Sequence, residues 1–212
     1  MFFEVILQQL LSSLLNFQFM LKVKDTIIND ELRAGWTGSC YAWINGISGA
    51  MQFFILPTVT RNIDPAYLWI SMPTVMLFLT GLQLFGKDYN PSLNLVACTF
   101  LSMKIIEYSI RGQVTEMIFA SLDYESRFVG KQKIGLLANR LGKSTMAISL
   151  FLLAMYFEKD VNHIIVVGAA VAASLWLLAT IQLTQFIEKP TSNTSPKSSK
   201  KTMVTSTAVH AQ

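Results

Sequence analysis

The sequence predicts an all-α integral membrane protein with six spanning helices and a short polar tail. Three observations carry that prediction. Of 212 residues, 52% are hydrophobic and 14% charged, and mean hydropathy is +0.43, a balance that water-soluble globules rarely have. Apolar stretches near the roughly 20 residues a helix needs to cross a bilayer recur along the chain. Charged and turn-forming residues gather between them.

The expected spans are residues 2–22, 38–58, 66–86, 92–110, 143–157 and 163–187, the first and fifth being the least apolar. The opening MFFEVILQQLLSSLL has neither a basic leader nor a small-residue cleavage site, so it reads as the start of a span rather than a signal or transit peptide. Arg61-Asn62-Ile63-Asp64-Pro65, Gly86 to Pro91 and Glu158-Lys159-Asp160 are turn sequences. Residues 111–142 form the one long polar connection, with apolar residues at helical intervals among charges, and are expected to hold amphipathic surface helices. From Lys189 to Gln212 the composition turns to Lys, Ser and Thr without aromatics, as in a disordered tail.

The net charge of +4 is small and confined to loops and tail, which argues against a nucleic-acid partner and makes the charge a report of topology. With six alternating spans, Arg61, Arg127, Lys131, Lys133, Arg140 and Lys189 onward fall on one side; Lys22, Lys24, Arg33, Lys87 and Lys159 fall chiefly on the other. The positive-inside rule then places both termini and the long connection on the cytosol-like side.

Polar residues inside spans are costly and tend to face a cavity, a partner or a substrate path. Lys104, Glu107, Tyr108 and Arg111 share one helical face of the fourth span. They read either as a self-neutralising ladder against a neighbouring helix or as a cationic cavity wall whose glutamate holds the cations until an anion arrives. Tyr41, Asn45, Ser48 and Gln52 form a stripe on the second span, with Gly46 and Gly49 beside it allowing close helix packing. Glu4, Gln8, Gln18 and Lys22 share a face of the first, flanked by Ser12 and Asn16. Polar faces on three helices suggest a shared hydrophilic interior, the design of a transporter. Gly168, Ala172 and Ala173 of the sixth span read as packing.

NRLGKSTM, residues 139–146, holds a Gly-Lys-Ser-Thr tetrad like the end of a phosphate-binding loop. Such a loop is G-x-x-x-x-G-K-[ST], yet Leu137 stands where its first glycine belongs and an apolar helix follows. Hydrolysis is not indicated. Lys143 remains a cation at a helix N-terminus, suited to a phosphate or to snorkelling at the interface. Cys40 and Cys98 sit in apolar segments, and His163 and His210 have no nearby ligand partners, so no metal or cofactor is implied. No nucleophile is paired with a base, and an enzyme is not indicated.

The run from Lys104 to Ser144 resembles the ATP/ADP translocase family of plastids and obligate intracellular bacteria. Glu107-Tyr108-Ser109, Glu116-Met117, Leu122-Asp123, Gly130-Lys131 and Leu141-Gly142-Lys143-Ser144 stand in the family's order, and RAGWTGSCYAWINGISGAMQF is similar to an earlier family helix. The resemblance covers most of residues 1–188 and implies the C-terminal half of a twelve-helix, major-facilitator-like transporter. Such proteins exchange ATP and ADP by alternating access without hydrolysing them. It further implies a plastid inner-envelope location, lipid surroundings, and an N-terminal six-helix half upstream or on a partner subunit. Substrate phosphates, of ATP, ADP or another phosphorylated metabolite, would meet Lys143, Arg140, Lys104 and Arg111, with Glu107 as a switching counter-ion. Tyr41 and Asn45 would contact base or ribose. Asn16-Phe17-Gln18 stands where the family has an acidic residue ahead of a lysine, here Lys22, and Ala120-Ser121 stands where a proline is common. The alternative reading is therefore a non-transporting half-transporter serving as a scaffold or subunit of a membrane complex.

Overall fold

The protein is seen as a computed structural model that describes residues 2–85, 90–120 and 161–188, with Arg140, Gly142, 144–146, 148–150, Leu152 and Met155 between. Lys143, residues 121–139 and the tail from 189 lie outside the described residues. All regular structure among the described residues is helical: α1 (Phe2–Thr26), α2 (Asp30–Ala50), a π-helical turn (Met51–Ile55), α3 (Leu56–Asn62), α4 (Pro65–Leu84), α5 (Leu93–Tyr108), α6 (Ile110–Ala120) and α7 (Val161–Glu188). Isolated helical positions run from Arg140 to Met155.

The chain sets these boundaries through its caps. Asn29 accepts hydrogen bonds from the Glu31 and Leu32 amides at 2.9 and 3.3 Å, and Asp30 and Glu31 add negative charge at the positive end of α2. Asp64 accepts from the Ala66 amide at 3.0 Å ahead of Pro65, a proline that loses nothing at a helix start. Ser92 caps α5.

Among the described residues three helices are long and apolar enough to cross a membrane: α4, Leu93–Met117 and Val161–Gln185. Helices α1 and α2 have the length, 25 and 21 residues, but their polar residues dilute the apolar signal. Two expected spans differ in extent. The second, expected at 38–58, lies within helical backbone from Asp30 to Asn62. Pro57 cannot donate to a preceding carbonyl, and the widened turn just before it, where the Leu56 amide bonds the Met51 carbonyl, carries the helix past that gap. The fourth, expected at 92–110, extends to Met117, interrupted only at Ser109. Arg111 therefore lies inside the span rather than at its mouth.

Helix α1 occupies the centre. Its buried residues, among them Glu4, Leu7, Gln8, Leu11, Ser12, Leu15, Gln18 and Phe19, cover most of its circumference. One core joins Leu7, Leu11 and Leu15 to Trp69, Met72 and Met76 of α4, Met103 of α5, Met146 and Leu150, and Ala169, Ala172, Ala173 and Trp176 of α7. The small residues of α7 let it approach closely, as expected of them. A second core sits at the other end of α1, where the Phe19 ring stacks on Phe100 and Trp36 at 4.3 and 5.7 Å.

Between the two cores runs a buried polar strand. Gln18 Nε2 donates to Gln83 Oε1 at 2.8 Å, Gln83 Nε2 donates to Thr99 Oγ1 at 2.8 Å, and Thr99 Oγ1 donates to the Leu95 carbonyl at 2.8 Å. This ties α1, α4 and α5 together where lost partners cannot be replaced by water. Gln83→Leu breaks two of these bonds and Gln18→Leu one. Thermal unfolding in detergent is expected to show Gln83→Leu as the more destabilising, each broken bond costing about 0.6–1.5 kcal/mol.

Candidate functional site

A helical i,i+3 spacing puts Lys104 and Glu107 side by side on α5, and they form an ion pair with Nζ to Oε2 at 2.8 Å. Both side chains are 15% exposed, so the pair is reachable yet largely desolvated. Two neutral groups of α1 complete it. Lys104 Nζ donates to Ser12 Oγ at 3.0 Å, and Ser12 Oγ donates to Glu107 Oε2 at 3.1 Å. Gln9 Nε2 donates to the other oxygen, Oε1, at 3.3 Å. A hydroxyl gives one proton and accepts others, so Ser12 closes a three-membered ring of ammonium, hydroxyl and carboxylate. Gln9 and Ser12 are themselves buried. The carboxylate is thus held by two donors of α1 in addition to its cation.

The surroundings add charge and aromatic surface. Lys104 Nζ lies 5.7 Å from the centre of the Tyr108 ring, and Tyr108 is exposed, an arrangement favourable for a cation. Arg111, half-buried on the next helix, is within electrostatic reach of both Glu107 and Glu4. Glu4 is buried and its Oε1 accepts from Trp176 Nε1 at 2.9 Å. Arg111 and Glu4 thus flank the Lys104–Glu107 pair with ionisable groups from α6 and α1.

Gly142 belongs to the same place. It is buried, and a Cβ built on it would stand 3.1 Å from Gln9 Cβ, closer than side chains normally tolerate. The glycine of the Gly-Lys-Ser-Thr tetrad therefore lets its helix approach α1 at the residue that holds Glu107. Lys143, the next residue, lies outside the described residues.

The remaining expected site residues lie elsewhere. Arg140 is exposed. On α2, Tyr41 is half-buried with its ring edge-on to Phe100 at 6.0 Å, Asn45 is exposed, and Ser48 is buried with no hydrogen-bond partner among the described residues. Gln52, within the π-helical turn, donates to the Tyr108 carbonyl beside the break at Ser109. The α2 stripe thus meets α5 through Tyr41 and Gln52. On α1, Gln18 belongs to the buried strand, Lys22 Nζ donates to Asn90 Oδ1, and Gln8 is buried with neither amide atom hydrogen-bonded among the described residues. Gln9 was outside the expected stripe, and Ser12 only flanked it. They were visible as a second polar line, Gln9, Ser12 and Asn16 at i, i+3 and i+7.

Residues 92–186 match the family model described as TLC ATP/ADP transporter. This segment contains Lys104, Glu107, Arg111 and Gly142, whereas α1, which supplies Gln9 and Ser12, precedes it. No curated protein and no solved structure matches the chain.

Replacing Gly142 by alanine drives a methyl against Gln9 Cβ, which no rotamer change can relieve. Gly142→Ala is expected to destabilise the protein by about 1–3 kcal/mol, the usual cost of overpacking. Combined with Gln9→Gly, which removes the opposing atom, the loss is expected to be smaller than the sum of the single losses. Full additivity in thermal unfolding would contradict the contact.

Proposed function

We propose, from the TLC ATP/ADP transporter family to which residues 92–186 are matched, that this chain carries nucleotides across a membrane by exchanging ATP and ADP. The observation that carries the reading is the Lys104–Glu107 pair: a lysine 15% exposed, neutralised by a carboxylate that keeps two other donors. An arriving phosphate can take the ammonium without leaving Glu107 bare. The gain for the nucleotide is a charge-assisted hydrogen bond in a partly desolvated setting, with release when the glutamate reclaims its partner. That reversibility suits a carrier, which must let go on the other side.

In this reading Arg111, Arg140 and Lys143 supply further positive charge to the phosphates, and Tyr41 and Asn45 contact base or ribose. Six spans, including α1, α2 and the helical positions between Arg140 and Met155, form one half of a major-facilitator-like bundle. Alternating access occurs against a second half in the same reading frame or on a partner subunit. No phosphate bond is broken, since the tetrad lacks the upstream glycine of a hydrolytic loop.

A second reading, a half-transporter retained as a scaffold, is favoured by one observation. Gln18, in the stretch where the resemblance to the translocase family implies an acid, is engaged in the buried polar line to Gln83.

The test is uptake of labelled ATP into ADP-loaded proteoliposomes carrying the protein from its full reading frame. ATP entry with the triphosphate intact, lowered about ten- to a hundredfold by Lys104→Ala as expected for loss of a charge-assisted contact, supports exchange. The scaffold reading instead expects no uptake, no stabilisation by ATP, and stable residence in a larger complex. Lys143→Ala is expected to raise the KM for ATP; an unchanged KM would remove Lys143 from the site.

A further inference from the structure

We propose that Gln9 and Ser12 of α1 are positioning residues that set how readily Lys104 leaves Glu107 for a phosphate. The proposal rests on the transport reading above and concerns how that site is controlled.

The physical problem is the state in which Lys104 has left. A carboxylate in a largely desolvated place is costly once its cation is gone. If nothing else held Glu107, it would retain Lys104 and the site would bind anions weakly. The structure supplies the compensation in advance. Ser12 Oγ–H serves Oε2 and Gln9 Nε2–H serves Oε1, one donor to each oxygen. Neither donor carries charge, so neither competes for the incoming phosphate. Both are about 4% exposed, so water does not substitute for them.

Ser12 has a second use. While the site is empty its oxygen accepts from Lys104 at 3.0 Å, placing the ammonium between hydroxyl and carboxylate. When the lysine moves, the hydroxyl keeps its proton directed at Glu107. Gln9 has the other link. Its Cβ stands 3.1 Å from where a side chain on Gly142 would begin, so the backbone at Gly142 closes over the side chain whose amide steadies Glu107.

Among the described residues the titratable and charged groups around Glu107 are Lys104 on its own helix and Arg111 beyond the break, with Glu4 acting on Arg111 from α1. None of these is removed by changing Gln9 or Ser12. The variants therefore alter donors while leaving the formal charges in place.

The experiment measures the KM and maximal rate of labelled ATP uptake by the protein from its full reading frame in proteoliposomes. Gln9→Ala and Ser12→Ala are each expected to raise KM about ten- to a hundredfold, the size of a lost hydrogen bond to a charged group, with a much smaller change in maximal rate. In a Glu107→Gln background, where no charge needs holding, the same changes are expected to move KM less than about twofold. Gln9→Met, which keeps length without a donor, repeats the test should Gln9→Ala unfold. KM penalties that persist in Glu107→Gln would assign these residues to helix packing alone and overturn the proposal. Wild-type protein that neither takes up ATP nor is stabilised by it overturns the transport reading and this one together.

Discussion

A helix that carries polar groups through an apolar interior needs partners for them, and α1 draws most of its own, Gln8 excepted among the described residues, from several neighbouring helices. Glu4 is met by Trp176 of α7, Ser12 and Gln9 by Glu107 of α5, Gln18 by Gln83 of α4, and Lys22 by Asn90 beyond α4. These partners come from different helices at successive levels. Rotating α1 by one residue would break several of them at once and bury unpaired groups. Dispersion and small-residue contacts bring the helices together, but they are weakly directional. The polar partners fix rotation and register.

The two ends of α1 are held by different physics. Toward its C-terminus, Phe19 stacks between Phe100 and Trp36, while Ile44 and Val96 fill the space around them. Large rings packed in this way have few alternative arrangements. Toward its N-terminal half, charges and amides add to the apolar contacts of Leu7, Leu11 and Leu15, and the pair at Lys104 remains partly exposed. Directional contacts between long side chains can exchange partners without repacking a core. The backbone irregularities lie near this more adaptable end: the π-helical turn at Met51–Ile55 faces the interruption at Ser109, with Gln52 donating to Tyr108 and Ser109 Oγ 3.9 Å from Met51 Sδ.

Much of this was legible in the sequence, and what was not has identifiable causes. Apolar length marked α4, the α5–α6 span and α7, because lipid-crossing helices cannot hide their composition. The spacing of Lys104, Glu107 and Arg111 placed them on one face, and the structure pairs the first two directly. The extent of the second span was missed because Asp30, Glu31 and Arg33 look like loop residues until Asn29 is seen capping a helix. The partners of the α1 face were beyond reach, since Gln83 and Trp176 are ordinary members of apolar helices in the sequence. Only tertiary packing distinguishes them. Gln9 is hard to single out for a related reason: the polar face of α1 is two lines wide, and its line, with Ser12 and Asn16, lies beside that of Glu4, Gln8, Gln18 and Lys22.

The Gly-Lys-Ser-Thr tetrad shows how the same letters acquire a different physical meaning. In a phosphate-binding loop the glycine lets the backbone wrap an anion. Here Gly142 is helical and buried against Gln9, and a Cβ would stand 3.1 Å from that neighbour. Its role among the described residues is to permit close approach between helices. Through Gln9 that approach reaches Glu107, and through Glu107 it reaches Lys104. The glycine and the charged pair, separated in sequence and read at first as independent signals, are two ends of one short chain of contacts. The atom that crowds Gly142 and the amide that steadies Glu107 belong to the same side chain.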